Sequence, residues 1–423
     1  MLARKRVSYR FLDNILLLTF IIILVFGAIG IGSPLMTLYL ESLGANYSRI
    51  ALILATTASV SLVTSYAWGR LSDALGRRKP LIAAGLAGLA LAYFLLSQVV
   101  SADWAWLVRL GEAASNAAYS TTSLALMGDL LATRDRRGQR MGVYRGLGSL
   151  AFAVGALLGG RLADHFSLRL TLQVCALLYL AAAAVALILR ESRSATVRRS
   201  APRIEVVSAP ASAGLGSRRS ALGCKDRAAG WRGWRPGLPL LFLAGVFLWT
   251  MTWYGQASMW PNHMAALGYA KTEISSLWGL AALIEAPAMR FAGQWSDVVG
   301  RGALLAVGGF GATLVLCGYV VLSQILPALA GVQVLRGVAF GSYTANAMTF
   351  AVEWGDETTR GRNSGLLSTV SGAGQLAGLL LGGTLAQAGG FRMMFGVFAA
   401  TAAAAGACFL ALRARAQDGR PVG

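Results

Sequence analysis

The chain is a succession of apolar runs of about 20 residues, separated by short polar turns. That length is what an α-helix needs to cross the roughly 30 Å hydrocarbon layer of a bilayer. Inside that layer each segment must satisfy its own backbone amides and carbonyls, so every run is predicted to be a helix. Twelve spans can be read, at 14–38, 48–68, 80–100, 104–128, 141–163, 168–190, 238–262, 273–293, 303–324, 326–352, 364–387 and 391–412. The short alternating segments of a membrane barrel are missing. Only 13% of residues are charged and 56% are hydrophobic, whereas a soluble domain carries about a quarter charged residues. The fold class is therefore an all-α membrane protein. The basic, apolar start imitates a secretory signal, but its core is long and a second span follows, so it reads as a retained first helix.

The formal charge is +20, and its placement decides its meaning. Arg4, Lys5 and Arg6 precede the first span, and Arg77, Arg78 and Lys79 follow the second. Arg134, Arg136 and Arg137 follow the fourth, Arg360 and Arg362 the tenth, and Arg413 and Arg415 the last. All lie on one side of a twelve-span path, as do the arginines of 191–236. The positive-inside rule makes that side cytoplasmic and puts both termini inside a cell membrane. Topology and contact with anionic membrane lipids explain the charge, and no nucleic-acid partner is expected. The stretch 191–236 is rich in Arg, Ser, Ala and Gly and reads as a disordered cytoplasmic tether. It divides the chain into an N-terminal six-helix unit, 1–190, and a C-terminal one, 237–423. Four cysteines and two histidines have no metal-ligand spacing. No metal or cofactor is expected, and without a nucleotide loop, histidine pair or elbow serine neither is an enzyme.

The two units repeat one another. Gly69, Ser72, Asp73, Gly76 and Arg77 recur as Gly293, Ser296, Asp297, Gly300 and Arg301, 224 positions on. Arg109 is followed twenty residues later by Asp129, and Arg336 at the same distance by Asp356. Gly155, Gly159 and Gly160 recur as Gly378, Gly382 and Gly383, rows that permit close helix contact. So long a repeat sets the architecture. Six spans per unit is an even number, so the halves run parallel, as two bundles with pseudo-twofold symmetry about the membrane normal.

The stretch GRLSDALGRRKP, 69–80, resembles the loop signature of the major facilitator superfamily, Gly-x-Leu-x-Asp-x-x-Gly-Arg-Arg/Lys. Gly69, Leu71, Asp73, Gly76, Arg77 and Arg78 carry the match. The second copy keeps Gly293, Asp297, Gly300 and Arg301, with Trp295 and Gly302 in place of the Leu and the second base. The resemblance implies a secondary transporter, here expected to be a monomer, whose two bundles rock about a central cavity. The paired loops would latch the bundles on the cytoplasmic face when the cavity opens outward. In chemical terms, Asp73 suits a helix N-terminus, and Asp129 and Asp356 are the expected carboxylate partners of the loop bases.

Ionisable residues inside spans are costly and mark function. In span four Arg109, Glu112, Asn116, Tyr119 and Ser123 recur at three- and four-residue steps, giving one polar face suited to a cavity. Arg109 can pair with Glu112, or it can snorkel outward past Trp104 and Trp106. The resemblance ties Arg109 to proton handling, although Glu112 and Ala113 replace the Gln and Gly of that signature. In span eight Glu285 falls near the midplane with no base adjacent at that depth, a candidate titrating or substrate-binding carboxylate. Its Glu-x-Pro setting is similar to that of bacterial sugar-efflux proteins. Spans seven and ten carry Trp253, Gln256, Tyr343 and Asn346, a lining suited to amphipathic organic ligands. Arg336 opens span ten as Arg109 opens span four. These residues suit a proton-coupled exporter of a drug, sugar or metabolite. They would equally serve a proton-coupled nutrient importer, and a lipid or lysolipid flippase is the third reading.

Overall fold

The computed structural model describes residues 2–131, 137–189, 238–354 and 359–417. The 191–236 tether and Asp356 lie outside the described residues. Among those described there are twelve α-helices and no strand. They are α1 Leu2–Gly32, α2 Met36–Ser42, α3 Tyr47–Leu75, α4 Lys79–Gln98, α5 Ala102–Leu131 and α6 Arg137–His165. Then come α7 Leu168–Ile188, α8 Leu240–Ala266, α9 Lys271–Val299, α10 Arg301–Val321, α11 Leu326–Glu353 and α12 Arg360–Gln417. A single 3-10 turn at Ser33–Leu35 joins α1 to α2, which together make the first span. The long α12 breaks at Gly390, whose φ of 75° only glycine adopts freely, so it holds the last two spans as two arms. Twelve spans therefore stand where twelve were read.

Eight of these helices are long and apolar enough to cross a membrane by length and composition, the two-armed α12 counted as one. The exceptions α5, α9 and α11 are 30, 29 and 28 residues long, ample for a bilayer. Polar and charged residues written along them lower their hydropathy, and these are the helices that carry Arg109, Glu285 and Arg336.

Helix ends follow local chemistry. Asn46 caps α3 by accepting the Arg49 amide at 2.9 Å, and Ser167 caps α7 through Leu170 at 3.1 Å. Gly76 and Gly300, with φ of 60° and 88°, end α3 and α9 at equivalent places in the repeat. Asp73 falls in the last turn of α3, and the next helix is capped by no side chain. Its expected role at a helix N-terminus is therefore corrected: the chain stays helical past it.

Packing separates two groups. Helix α1 lies against α6 and α7, and α4 against α5 and α7; α8 lies against α12, and α10 against α11 and α12. Between the groups the principal contacts are α6 with α9 and α3 with α12. These are one interface made twice, because α9 repeats α3 and the first arm of α12 repeats α6. The glycine rows explain how near the helices come. A Cβ at Gly155 would collide with the backbone of Gly27, and one at Gly378 with that of Met251. At Gly160 it would meet the Lys271 and Thr272 backbone, and at Gly383 that of Tyr47, so these two set the spacing between bundles.

Candidate functional site

The bundles meet at the end of the molecule opposite the 69–80 and 293–304 loops. There the Asp164 carboxylate, at the end of α6, accepts the backbone amides of Lys271 and Thr272 at 3.1 and 2.8 Å. It also accepts the Thr272 hydroxyl at 2.7 Å, and Lys271 Nζ stands 3.6 Å away. Asp164 thus caps the N-terminus of α9 from the other bundle, where the exposed amides and the helix dipole favour an anion. The repeat makes the converse contact: Gln387 Oε1 accepts the Tyr47 amide at 3.0 Å at the start of α3. Gln387 stands 223 positions after Asp164, and Lys271 stands 224 after Tyr47. Asn262 adds a third crossing, donating from Nδ2 to Glu41 Oε2 at 2.6 Å.

Behind this closed end lies a cavity of about 390 Å³ between the bundles, lined by Arg109, Glu112, Asn116, Trp253, Trp278 and Arg336. Arg109, Glu112 and Asn116 also line a second cavity, of about 400 Å³, between α3, α5 and α12. Arg109 pairs with Glu112, each side chain 12% exposed. The snorkelling alternative is thereby set aside. Trp106 donates from Nε1 to Thr56 Oγ1 at 2.8 Å, tying α5 to α3 beside this pair. Arg336, the repeat partner of Arg109, faces the same space from α11, its guanidinium between the rings of Trp253 and Trp278.

Tyr119 and Ser123 do not join that group. With Glu285 and Tyr144 they line a further cavity of about 540 Å³ between α5, α6 and α9. Glu285 was expected to have no base nearby, but the charge of Arg336, on the neighbouring α11, acts on it. The close crossing of α9 and α11 at Gly337 and Gly341 accounts for this, a contact the spacing within one span could not reveal. Trp253 lines the first cavity, whereas Gln256, Tyr343 and Asn346 are buried behind its wall. Gln256 donates to the Trp253 carbonyl at 3.2 Å, Asn346 to the Ser342 carbonyl at 2.8 Å, and Tyr343 stacks on Trp249.

In the loops, Arg78 pairs with Asp129 at 3.1 Å, while Leu71 and Arg77 are exposed. Arg301 pairs with Asp297 at 2.8 Å and donates two bonds to Glu353, at 3.1 and 3.0 Å. Glu353, three residues before Asp356, is a partner the sequence reading missed. Asp164, Gln387 and Trp278 were missed as well, although the repeat offset alone would have paired Asp164 with Gln387.

The MFS_1 like family model matches residues 15–397. The chain belongs to that family of the major facilitator superfamily. A Deinococcus radiodurans protein named as a sugar efflux transporter is 27% identical over 409 residues, 92% of this chain and 95% of that one. The puromycin resistance protein pur8 of Streptomyces alboniger is 34% identical, over 25% of this chain and 21% of its own. The solved nucleoside transporter NupG has the same fold, with a TM-score of 0.72 at 14% identity over 95% of this chain and 99% of that one. So does a bacterial homologue of the lysosomal transporter Spinster, at 0.66 and 14% over 95% and 94%. The chain is thus a multi-pass membrane transporter of twelve helices in two bundles.

Proposed function

We propose that this protein is a secondary active transporter that exports a small organic molecule across the cell membrane by alternating access, in exchange for protons. The observation that carries the reading is the cavity between the duplicated bundles, where the repeat-related arginines Arg109 and Arg336 meet aromatic rings. The basic ends of the helices face the cytoplasm by the positive-inside rule, which makes the end closed by Asp164 and Gln387 the outer one. Rocking the bundles would break those caps and bring the 69–80 and 293–304 loops together, exposing the cavity outward. In this reading the chain works as a monomer in contact with membrane lipids. Glu285, between α9 and the first bundle, serves as the proton-carrying carboxyl, and Arg109 and Glu112 hold the cavity wall. The relative named for sugar efflux supports the export direction.

The test is proton flux in proteoliposomes holding the purified protein, driven by gradients of candidate sugars and aromatic drugs. Substrate-dependent proton movement opposite to the substrate supports exchange. Movement in the same direction would replace it by the importer reading.

A further inference from the structure

The duplication wrote an arginine into both bundles but an adjacent carboxylate into only one. Three residues after Arg109 stands Glu112; three after Arg336 stands Ala339. Arg336 is 5% exposed. Among the described residues it forms no ion pair and donates no hydrogen bond. Its guanidinium carbon lies 5.0 Å from the Trp253 ring centre and 4.8 Å from that of Trp278. Cation–π contacts of this kind steady the charge but accept none of its five N–H groups.

The guanidinium lines the cavity, and its nitrogens open onto that space rather than into packed protein; its planar fork matches a carboxylate or a phosphate. The carboxylates near it do not fill that role. Glu112 is engaged by Arg109, and Glu285 feels the charge of Arg336 without pairing to it. The cavity wall therefore holds two cations and one anion, Arg109, Arg336 and Glu112.

We propose that the cargo is an organic anion whose carboxylate or phosphate docks on Arg336, with its carbon skeleton along Tyr93, Tyr179 and Trp278 of the same cavity. This deepens the transporter reading and rests on it. Arg336 is the residue that selects the charged cargo, and Arg109, neutralised by Glu112, is not.

The test compares anionic probes with neutral partners of nearly the same shape by titration calorimetry on the purified full chain. One pair is p-nitrophenyl β-glucuronide and p-nitrophenyl β-glucoside; the other is glucose 6-phosphate and glucose. The pairs separate a carboxylate from a phosphate cargo. At least one anion is expected to bind about tenfold or more tighter than its partner, the share of a charge-assisted hydrogen-bonded pair. Arg336→Gln should lower the anion's affinity about tenfold or more, so that it binds no tighter than its neutral partner, and thermal unfolding shows whether the variant is folded. Arg336→Lys, which keeps the charge but not the fork, should retain part of the preference and covers the case in which the glutamine variant misfolds. Equal binding of both members of each pair, a preference that survives Arg336→Gln, or no binding by any probe would overturn the proposal. Probe counterflow in proteoliposomes separates the two readings: transport of a probe without charge preference removes the anion site and leaves the transporter.

Discussion

Asp164→Ala tests whether the inter-bundle caps hold the closed end. The substitution removes an acceptor for two amides at the start of α9 and for the Thr272 hydroxyl. Loss of an N-cap side chain costs about 1 kcal/mol. Loss of the solvent-exposed hydroxyl bond, for which water competes, adds about 0.5–1 kcal/mol, the share of an ordinary hydrogen bond. The Lys271 pair, at 3.6 Å with side chains 36% and 25% exposed, adds almost nothing at that exposure. The total of about 1.5–2 kcal/mol favours opening by roughly ten- to thirtyfold, because only the closed form makes these contacts. Gln387→Ala is the internal control. It removes one neutral hydrogen bond, to Tyr47, worth about 0.5–1 kcal/mol or two- to fivefold. Spin labels at Phe166 and Ala266, both exposed at this end, would report the populations as distance distributions in lipid nanodiscs. The expected order of open population is Asp164→Ala, then Gln387→Ala, then the parent protein. An unchanged distribution for Asp164→Ala, or a larger shift for Gln387→Ala, would refute the capping argument.

Further outcomes are expected from other parts of the molecule. Glu285→Gln should cut substrate-driven proton flux at least about tenfold in proteoliposomes while substrate binding persists, since the amide keeps the shape but carries no proton; undiminished flux removes Glu285 from the coupling. Gly383→Leu places a side chain against the Tyr47 backbone, so the same spin labels should show the end held open, and transport should stop. Arg301→Ala removes both bonds to Glu353, but these groups are 22% and 54% exposed. A loss of no more than about 1 kcal/mol in thermal unfolding is expected.

The spans, their number and their duplication were legible because they rest on composition and on short-range pattern. Hydropathy even marked the helices that carry the candidate site residues in reverse, since α5, α9 and α11 fall outside the spans apolar enough to cross a membrane. What stayed hidden were the contacts made between helices far apart in sequence. The closeness of Arg336 to Glu285 depends on how α9 crosses α11 at Gly337 and Gly341. The Glu353 partner of Arg301 depends on where α11 ends relative to the 293–304 loop. Asp73 was misread because its neighbours gave no sign that α3 continues to Leu75.

The differences between the two halves carry more of the mechanism than their likeness. Asn46 caps its own helix in the first half, and at the equivalent place the second half has Ala270, which has no side chain to do so. That deficit is met from the opposite bundle by Asp164, a charged acceptor for two amides, while the already capped α3 receives only the neutral Gln387. Each half is thus completed in proportion to what it lacks. The same comparison applied to Arg109 and Arg336 ends differently. Glu112 balances the charge of the first, and Ala339 gives the second no carboxylate on its own helix. A deficit met across the interface belongs to the gate. The charge of Arg336, left unpaired among the described residues in the wall of the central cavity, is where the proposed anion would dock.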